Sequence, residues 1–441
     1  MQPFHHLLAN NLVANITNFT VWFALTFWTF LETQSVFATG MIAGIYLVLT
    51  AALGIWFGSL VDHHGKRNMM LVSSVASLIL YAIAFAGYAL DPAIRAAEVS
   101  SVTLWLFILV SMFAVIVGNI RMIALPTLVT LLVPEDRRDK ANGLVGMVSG
   151  VGFLTTSAIS GFLVAWGGMV ATLAFAVAFS LVAIVHLLFV HVDEPRDDEA
   201  HDAPHRIDLA GTLRVVLGIP GLLALIMFAC FNNLLGGVFM ALMDAYGLSL
   251  MKVEQWGLLW AVLSCAFILS GIVISRTGLG KNPIRTLLFV CLVEWIVAAV
   301  FTIQSSIPLL AIGCFIWMFL GPYAEAAEQT AMQKVVPFER QGRVFGFAQS
   351  VEQAASPLTA FLIAPLTQFI FVPLMTDGAG ADAIGDWYGR GPERGIALVF
   401  TIAGLLGIIL TLAAFGSRSY RRISAAYAAG NGSSAATAPA A

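Results

Sequence analysis

The chain has 441 residues, of which 59% are hydrophobic and only 11% charged, and its mean hydropathy is +0.89. Soluble domains carry roughly a quarter charged residues, so a water-soluble globule is excluded and the surrounding solvent is expected to be lipid. The net charge of −3 gives no ground for a nucleic-acid partner.

A membrane-crossing helix needs about 20 mostly apolar residues. Twelve segments meet that length, at 9–31, 38–60, 69–90, 102–131, 142–165, 169–190, 216–243, 254–275, 285–304, 308–333, 343–372 and 395–415. Met1 to His6 lacks a basic stretch and no small-residue cleavage site follows, so the first span is expected to stay in the membrane. With the N-terminus inside, 17 of the 22 Lys and Arg residues fall in cytoplasmic loops or the tail, whereas Arg95, Lys252, Arg390 and Arg394 fall outside. That asymmetry predicts two cytoplasmic termini. The acidic, proline-bearing segment around Val192–Glu199 reads as a solvated linker, and the Ala/Gly/Ser-rich end as a disordered tail.

The expected fold class is therefore an all-α membrane protein with 12 transmembrane helices in two six-helix halves, multi-pass in the cell membrane. Its parts are an N-terminal half at 1–190, a linker at 191–215, a C-terminal half at 216–416 and a tail at 417–441. The halves echo one another. Val133-Pro134-Glu135-Asp136-Arg137-Arg138 follows the fourth span and Val336-Pro337-Phe338-Glu339-Arg340-Gln341 the tenth, and setting Pro134 on Pro337 also superposes Gly118 on Gly321. Parallel repeats of this kind place a substrate site between the halves.

Between the second and third spans stands Gly58-Ser-Leu-Val-Asp62-His-His-Gly65-Lys66-Arg67. It resembles the loop pattern G-x-L-x-D-x-x-G-[RK]-[RK] of the major facilitator superfamily. Gly58 would let a neighbouring helix approach, Gly65 would permit a tight turn, and Asp62 would accept hydrogen bonds from a helix N-terminus as a conformational latch. The alternative is a turn with topogenic basic residues. The corresponding loop, Ser275-Arg276-Thr277-Gly278-Leu279-Gly280-Lys281-Asn282, keeps glycines and basic residues but has no aspartate. Gly54-xxx-Gly58 and Gly146-xxx-Gly150 read as close-packing signals. Within the superfamily, Val336–Gly346, Phe371–Met375, Ile384–Gly389 and Arg394–Ala397 resemble the drug:proton antiporter group that includes macrolide exporters. The sequence departs from that group in two places: the fifth span has Ser157-Ala-Ile-Ser-Gly161 in place of Gly-Pro-x-x-Gly, and Arg121 is five residues, not ten, before a proline.

Ionisable residues inside spans mark function by default. Arg121, Glu325, Glu328 and Glu352 are the candidates for proton coupling, with Glu328 the first choice as carrier; the competing reading is a structural ion-pair network. The fold that the resemblance implies would bring these four together around a central cavity. Glu294 is expected to be structural, and Glu32 and Asp244 to sit at the outer ends of their spans. Asn15, Asn18, Trp22, Asn232 and Asn233 are candidates for the substrate cavity, the asparagines serving equally well as interhelical hydrogen-bond groups. The four cysteines read as buried hydrophobes with no metal or redox spacing. No nucleotide-binding loop appears. No cofactor is expected, protons being the coupling ion, and the partners are a small-molecule substrate and the bilayer, with the chain a monomer. The resemblance implies a non-enzymatic, proton-coupled secondary transporter exporting hydrophobic or amphipathic compounds. A specific metabolite or siderophore transporter of the same fold is the alternative, and a non-transporting membrane sensor or assembly protein the alternative of another class.

Overall fold

The computed structural model describes residues 2–33, 36–95, 98, 100–192, 194 and 209–433. Helices account for nearly all of it, and no strand occurs among the described residues. In lipid a helix satisfies its backbone polar groups within one segment, which is why an apolar chain of this length takes this form.

The helices run in chain order as α1 (Gln2–Thr33), α2 (Val36–His63), α3 (Lys66–Leu90), α4 (Pro92–Arg95), α5 (Val102–Gly118), α6 (Ile120–Leu132), α7 (Arg138–Phe189), α8 (Leu209–Gly218) and α9 (Leu222–Leu250). They continue as α10 (Val253–Thr277), α11 (Pro283–Val300), α12 (Ile307–Val335), α13 (Gln341–Leu366), α14 (Val372–Thr376), α15 (Ala379–Tyr388), α16 (Pro392–Gly416) and α17 (Arg418–Ser433). Counting α5 and α6 as one span, nine helical segments among the described residues are long and apolar enough to cross a bilayer. The expected spans at 9–31, 142–165 and 343–372 are helical but outside that set. Asn10, Asn11, Asn15 and Asn18 dilute the hydropathy of α1, and Arg343, Gln349, Glu352 and Gln353 that of α13.

The expected boundary between the fifth and sixth spans falls at a break inside α7, where Gly168 takes φ +59° and ψ −151°. Only glycine enters that region without a steric penalty. The fourth expected span is divided at Asn119 into α5 and α6. Two boundaries need correction. Most of the linker lies outside the described residues, but α8 begins at Leu209 within its expected range. The tail expected to be disordered from 417 is helical through Ser433, because α17 docks. Ile423 is buried against Gly221, and the Lys334 ammonium lies 4.1 Å from the Tyr427 ring centroid.

The chain forms two compact units. The first comprises Met1–Ala141, Val148–Thr212 and Pro337–Ser350; the second comprises Asn142–Met147, Leu213–Val336 and Val351–Ala441. An apolar cluster centred on Leu25, Trp28, Ile42, Phe107 and Leu173 holds the first, with Trp28 edge-on to Tyr88 and Phe107. Phe239 organises the second: it stacks on Phe400 at 4.8 Å and on Trp317 at 5.3 Å, beside Trp295. Gly404 and Gly407 allow α16 to lie directly on Ala299 and Trp295 of α11, where a Cβ would clash.

Candidate functional site

The loop joining α2 to α3 holds several charge-assisted contacts in the first unit. Asp62 reaches the first turn of α13, where its Oδ1 accepts from the Gly342 N–H at 2.6 Å and its Oδ2 from the Arg343 N–H at 2.8 Å. Helix starts leave such N–H groups unsatisfied and favour an anion there. The Arg343 guanidinium adds an ion pair at 3.5 Å from Nε and contacts His63 Nε2 at 2.8 Å. Glycines make this approach possible. A Cβ on Gly58 would meet the Gly342 carbonyl, and one on Gly346 the Gly54 carbonyl.

Gly65 precedes α3, and there a second carboxylate repeats the arrangement. Glu194 accepts from the Lys66 N–H at 2.6 Å and the Arg67 N–H at 2.7 Å. The Arg67 side chain donates to the Leu187, Leu188 and Val190 carbonyls at the end of α7, and the Lys66 ammonium lies 5.1 Å from the Phe338 ring centroid. The Arg67 side chain thus holds α3 to the end of α7, while the Lys66 and Arg67 N–H groups hold Glu194 in the segment that follows.

Arg121, on α6, is buried within the first unit. Its guanidinium donates to Asn10 Oδ1 at 2.8 Å and to Ser74 Oγ, both neutral acceptors. It lines a cavity of about 10 Å³ with Thr17, Asn18, Ser73, Ser77 and Ser180. Space of that size admits at most one water. Ser73, Ser74, Ser77 and Thr17 donate their protons to backbone carbonyls, so their lone pairs remain to solvate the cation.

In the second unit, Glu325 and Glu328 lie one turn apart on α12, and the Glu328 carboxyl is within hydrogen-bonding reach of Glu352 on α13. Oε1 of Glu328 and Oε1 of Glu352 are buried and receive no donor among the described residues. Glu325 is exposed, although Ala326 and Ala327 beside it are buried. The three glutamates are therefore brought together in one unit, and Arg121 belongs to the other. Glu294 is buried on α11 beside the Cys291 thiol.

Residues 7–360 match the Major Facilitator Superfamily. The chain belongs to that superfamily. Its members are transporters, and this one is a multi-pass membrane protein with the all-helical superfamily fold. No curated protein sequence matches it. Among solved structures it is similar to a bacterial homologue of the iron transporter ferroportin in an outward-facing state, at TM-score 0.67 and 14% identity, over 95% of this chain and 100% of that one. It is also similar to the human organic anion transporter MFSD10, at TM-score 0.63 and 12% identity over 92% and 98% of the two chains. A third is the proton:xylose symporter XylE, at TM-score 0.65 and 12% identity over 94% and 95%. Identity this low carries the superfamily fold and no substrate.

The remaining candidates fall in different settings within this superfamily fold. Asn18 is buried and accepts from the Tyr81 hydroxyl at 2.7 Å, and Asn232 accepts from Trp295 Nε1 at 2.8 Å. The Trp22 ring packs edge-on to Phe23, and its buried Nε1 has no acceptor among the described residues. Asn15 and Asn233 are half-buried. Glu32 is exposed, and Asp244, also exposed, accepts from Trp256 Nε1 at 2.9 Å.

Sequence reasoning passed over three contacts. Arg394, expected in an outer loop, is buried at the start of α16; it donates to the Thr302 and Ile303 carbonyls at 2.9 and 2.6 Å and lies 4.4 Å from the Tyr388 ring centroid. Glu194 read as one more charge of a solvated segment. Asn142 and Gln333 exchange side-chain hydrogen bonds at 2.9 and 3.3 Å, with Thr330 accepting a further one at 2.8 Å. Only an amide one helical turn into α7 could have hinted at the last.

Proposed function

We propose that this superfamily member is a proton-coupled secondary transporter of the cell membrane, exporting hydrophobic or amphipathic small molecules by alternating access. In this reading it has twelve spans with both termini cytoplasmic, and it belongs with the drug:proton antiporters. The observation that carries the coupling is the Glu328–Glu352 pair. Ionised carboxylates only accept hydrogen bonds, so two carboxyls in bonding reach need a shared proton to attract rather than repel. Loss of that proton would drive them apart and favour a different arrangement of α12 against α13. Proton binding and conformation are then linked, which is the thermodynamic requirement for coupling.

Arg121 serves in this scheme as a fixed positive charge held by neutral partners. Asp62 serves as the latch, with Gly58, Gly65, Lys66 and Arg67 shaping its loop. The Nε1 of Trp22, unpartnered among the described residues, supports a substrate contact, since a buried donor without an acceptor costs free energy until something fills the role.

The test is transport in proteoliposomes under an imposed pH gradient. Glu328→Gln and Glu352→Gln should each abolish uphill, gradient-driven movement while downhill exchange continues. Full gradient-driven accumulation by both variants would remove the pair from the mechanism.

A further inference from the structure

The short helix α17 leaves the membrane-spanning α16 through an extended residue, Ser417, whose hydroxyl caps the new helix by accepting from the Tyr420 N–H at 3.0 Å. Three arginines follow at once: Arg418, Arg421 and Arg422, at spacings of three and four that put them on one face. All three are exposed, and none forms an ion pair among the described residues. Their placement opposes the helix's own field. The first turn of a helix carries partial positive charge and favours anions, yet α17 contains no carboxylate anywhere.

The opposite side of α17 is seated on the protein. Ile423 is buried against Gly221, whose φ of +85° forms the turn between α8 and α9, and the Ser419 carbonyl lies against the same glycine. The helix is thus fixed with its basic face outward, beside the point where a span ends. On α8, Leu213 and Leu217 are exposed one turn apart with the exposed Arg214 beside them, while Val216 is buried. Exposed leucines next to arginines on short helices suit the boundary between acyl chains and headgroups, where each group meets its preferred solvent.

We propose that the Arg418, Arg421 and Arg422 face of α17 binds the phosphate headgroups of anionic phospholipids. The charge complementarity is direct, because a concentration of unpaired cations and a positive helix end meets the one abundant anion at the membrane surface. This inference is independent of the transported substrate and of proton coupling.

The experiment titrates the full-length protein in neutral detergent with fluorescent phosphatidylglycerol, against phosphatidylcholine of the same chain length. Each basic side chain contributes roughly fivefold at an anionic surface, so replacing all three with Gln should weaken phosphatidylglycerol binding about a hundredfold. Phosphatidylcholine binding should not change, and replacement of all three by Lys should retain most of the phosphatidylglycerol affinity. Raised salt should weaken binding to the wild type and leave the Gln variant unaffected. Equal phosphatidylglycerol affinity in wild type and Gln variant would overturn the proposal, as would a Lys variant as weak as the Gln variant. A wild-type protein that binds both lipids equally, but whose self-association falls in the Gln variant, would also overturn it and assign the face to a second copy of the chain.

Discussion

Two seams lined with glycine join helices in the two units, and they are fastened by different chemistry. In the first unit α2 lies against the start of α13, with Gly54 and Gly58 facing Gly342 and Gly346, and Asp62 holds the two N–H groups of the helix start. In the second unit the start of α7 lies against α10, with Gly143 facing Ile274 and Ser275 and Gly271 facing Met147. Beside it, Asn142 of α7 and Gln333 of α12 form a reciprocal, neutral amide pair. The loop after α10 explains the difference. It has no residue equivalent to Asp62, and it turns through Gly278 and Gly280 at φ +72° and +80°. A carboxylate at a helix end attracts through charge and weakens with salt, whereas an amide pair depends on geometry alone. The contact at Asp62 therefore responds to charge, and the Asn142–Gln333 pair does not.

The harshest way to break the comparison is to spoil the packing that the seams share. Gly58→Leu and Gly271→Leu each drive a side chain into backbone, which cannot move aside as a flexible side chain can. Overpacking costs about 1–3 kcal/mol even where neighbours are able to shift, so both variants should lose several degrees of melting temperature together with transport. If one variant melted and transported like the wild type, the two seams would not be equivalent in packing.

A gentler pair of substitutions sharpens the chemical contrast. Asp62→Asn should shift the population of states by up to about thirtyfold, corresponding to about 2 kcal/mol for a partly buried charge at a helix end. Asn142→Ala should cost about 1 kcal/mol for each neutral bond lost. Spectroscopic distances between labels would report both populations. The Asp62 effect should diminish as salt is raised and the Asn142 effect should not; identical salt profiles would erase the distinction between the seams.

The smallest effect is expected at Glu194, which repeats the Asp62 geometry at the start of α3 but ties that helix to the segment following α7. Glu194→Gln should cost about 0.3–1 kcal/mol at this more accessible position. Amide hydrogen exchange at Lys66 and Arg67 should rise a few-fold, with exchange at Gly342 unchanged. Faster exchange at Gly342 as well would mean that the two carboxylates act as one device.

Much of this molecule was legible from composition and spacing. Runs of about 20 apolar residues can only be helices in lipid, so most spans followed directly, whereas the break at Gly168 within α7 was seen only as a gap between two expected spans. The loop from Gly58 to Arg67 resembles the superfamily pattern, which implied a helix-end contact for Asp62, and Asp62 does accept from the Gly342 and Arg343 N–H groups. Asn142–Gln333, Glu194 and the burial of Arg394 were not legible in the same way. Each depends on a partner tens to hundreds of residues distant, and an amide, a carboxylate or an arginine looks the same in sequence whether solvated or engaged. The helix after Gly416 was hidden for a related reason. Its Ala, Gly and Ser content carries no apolar stripe strong enough to predict order, and what stabilises it is the seat that Gly221 offers to Ile423 and the contact of Lys334 with Tyr427. Local composition thus determined where most of the long apolar helices run, but not that Gly65 would enter α3 at an ordinary φ of −55°. Only the tertiary structure decided which buried charges meet a helix end, a neutral acceptor or one another, because that depends on the free energy of desolvating each group against the partners the fold supplies.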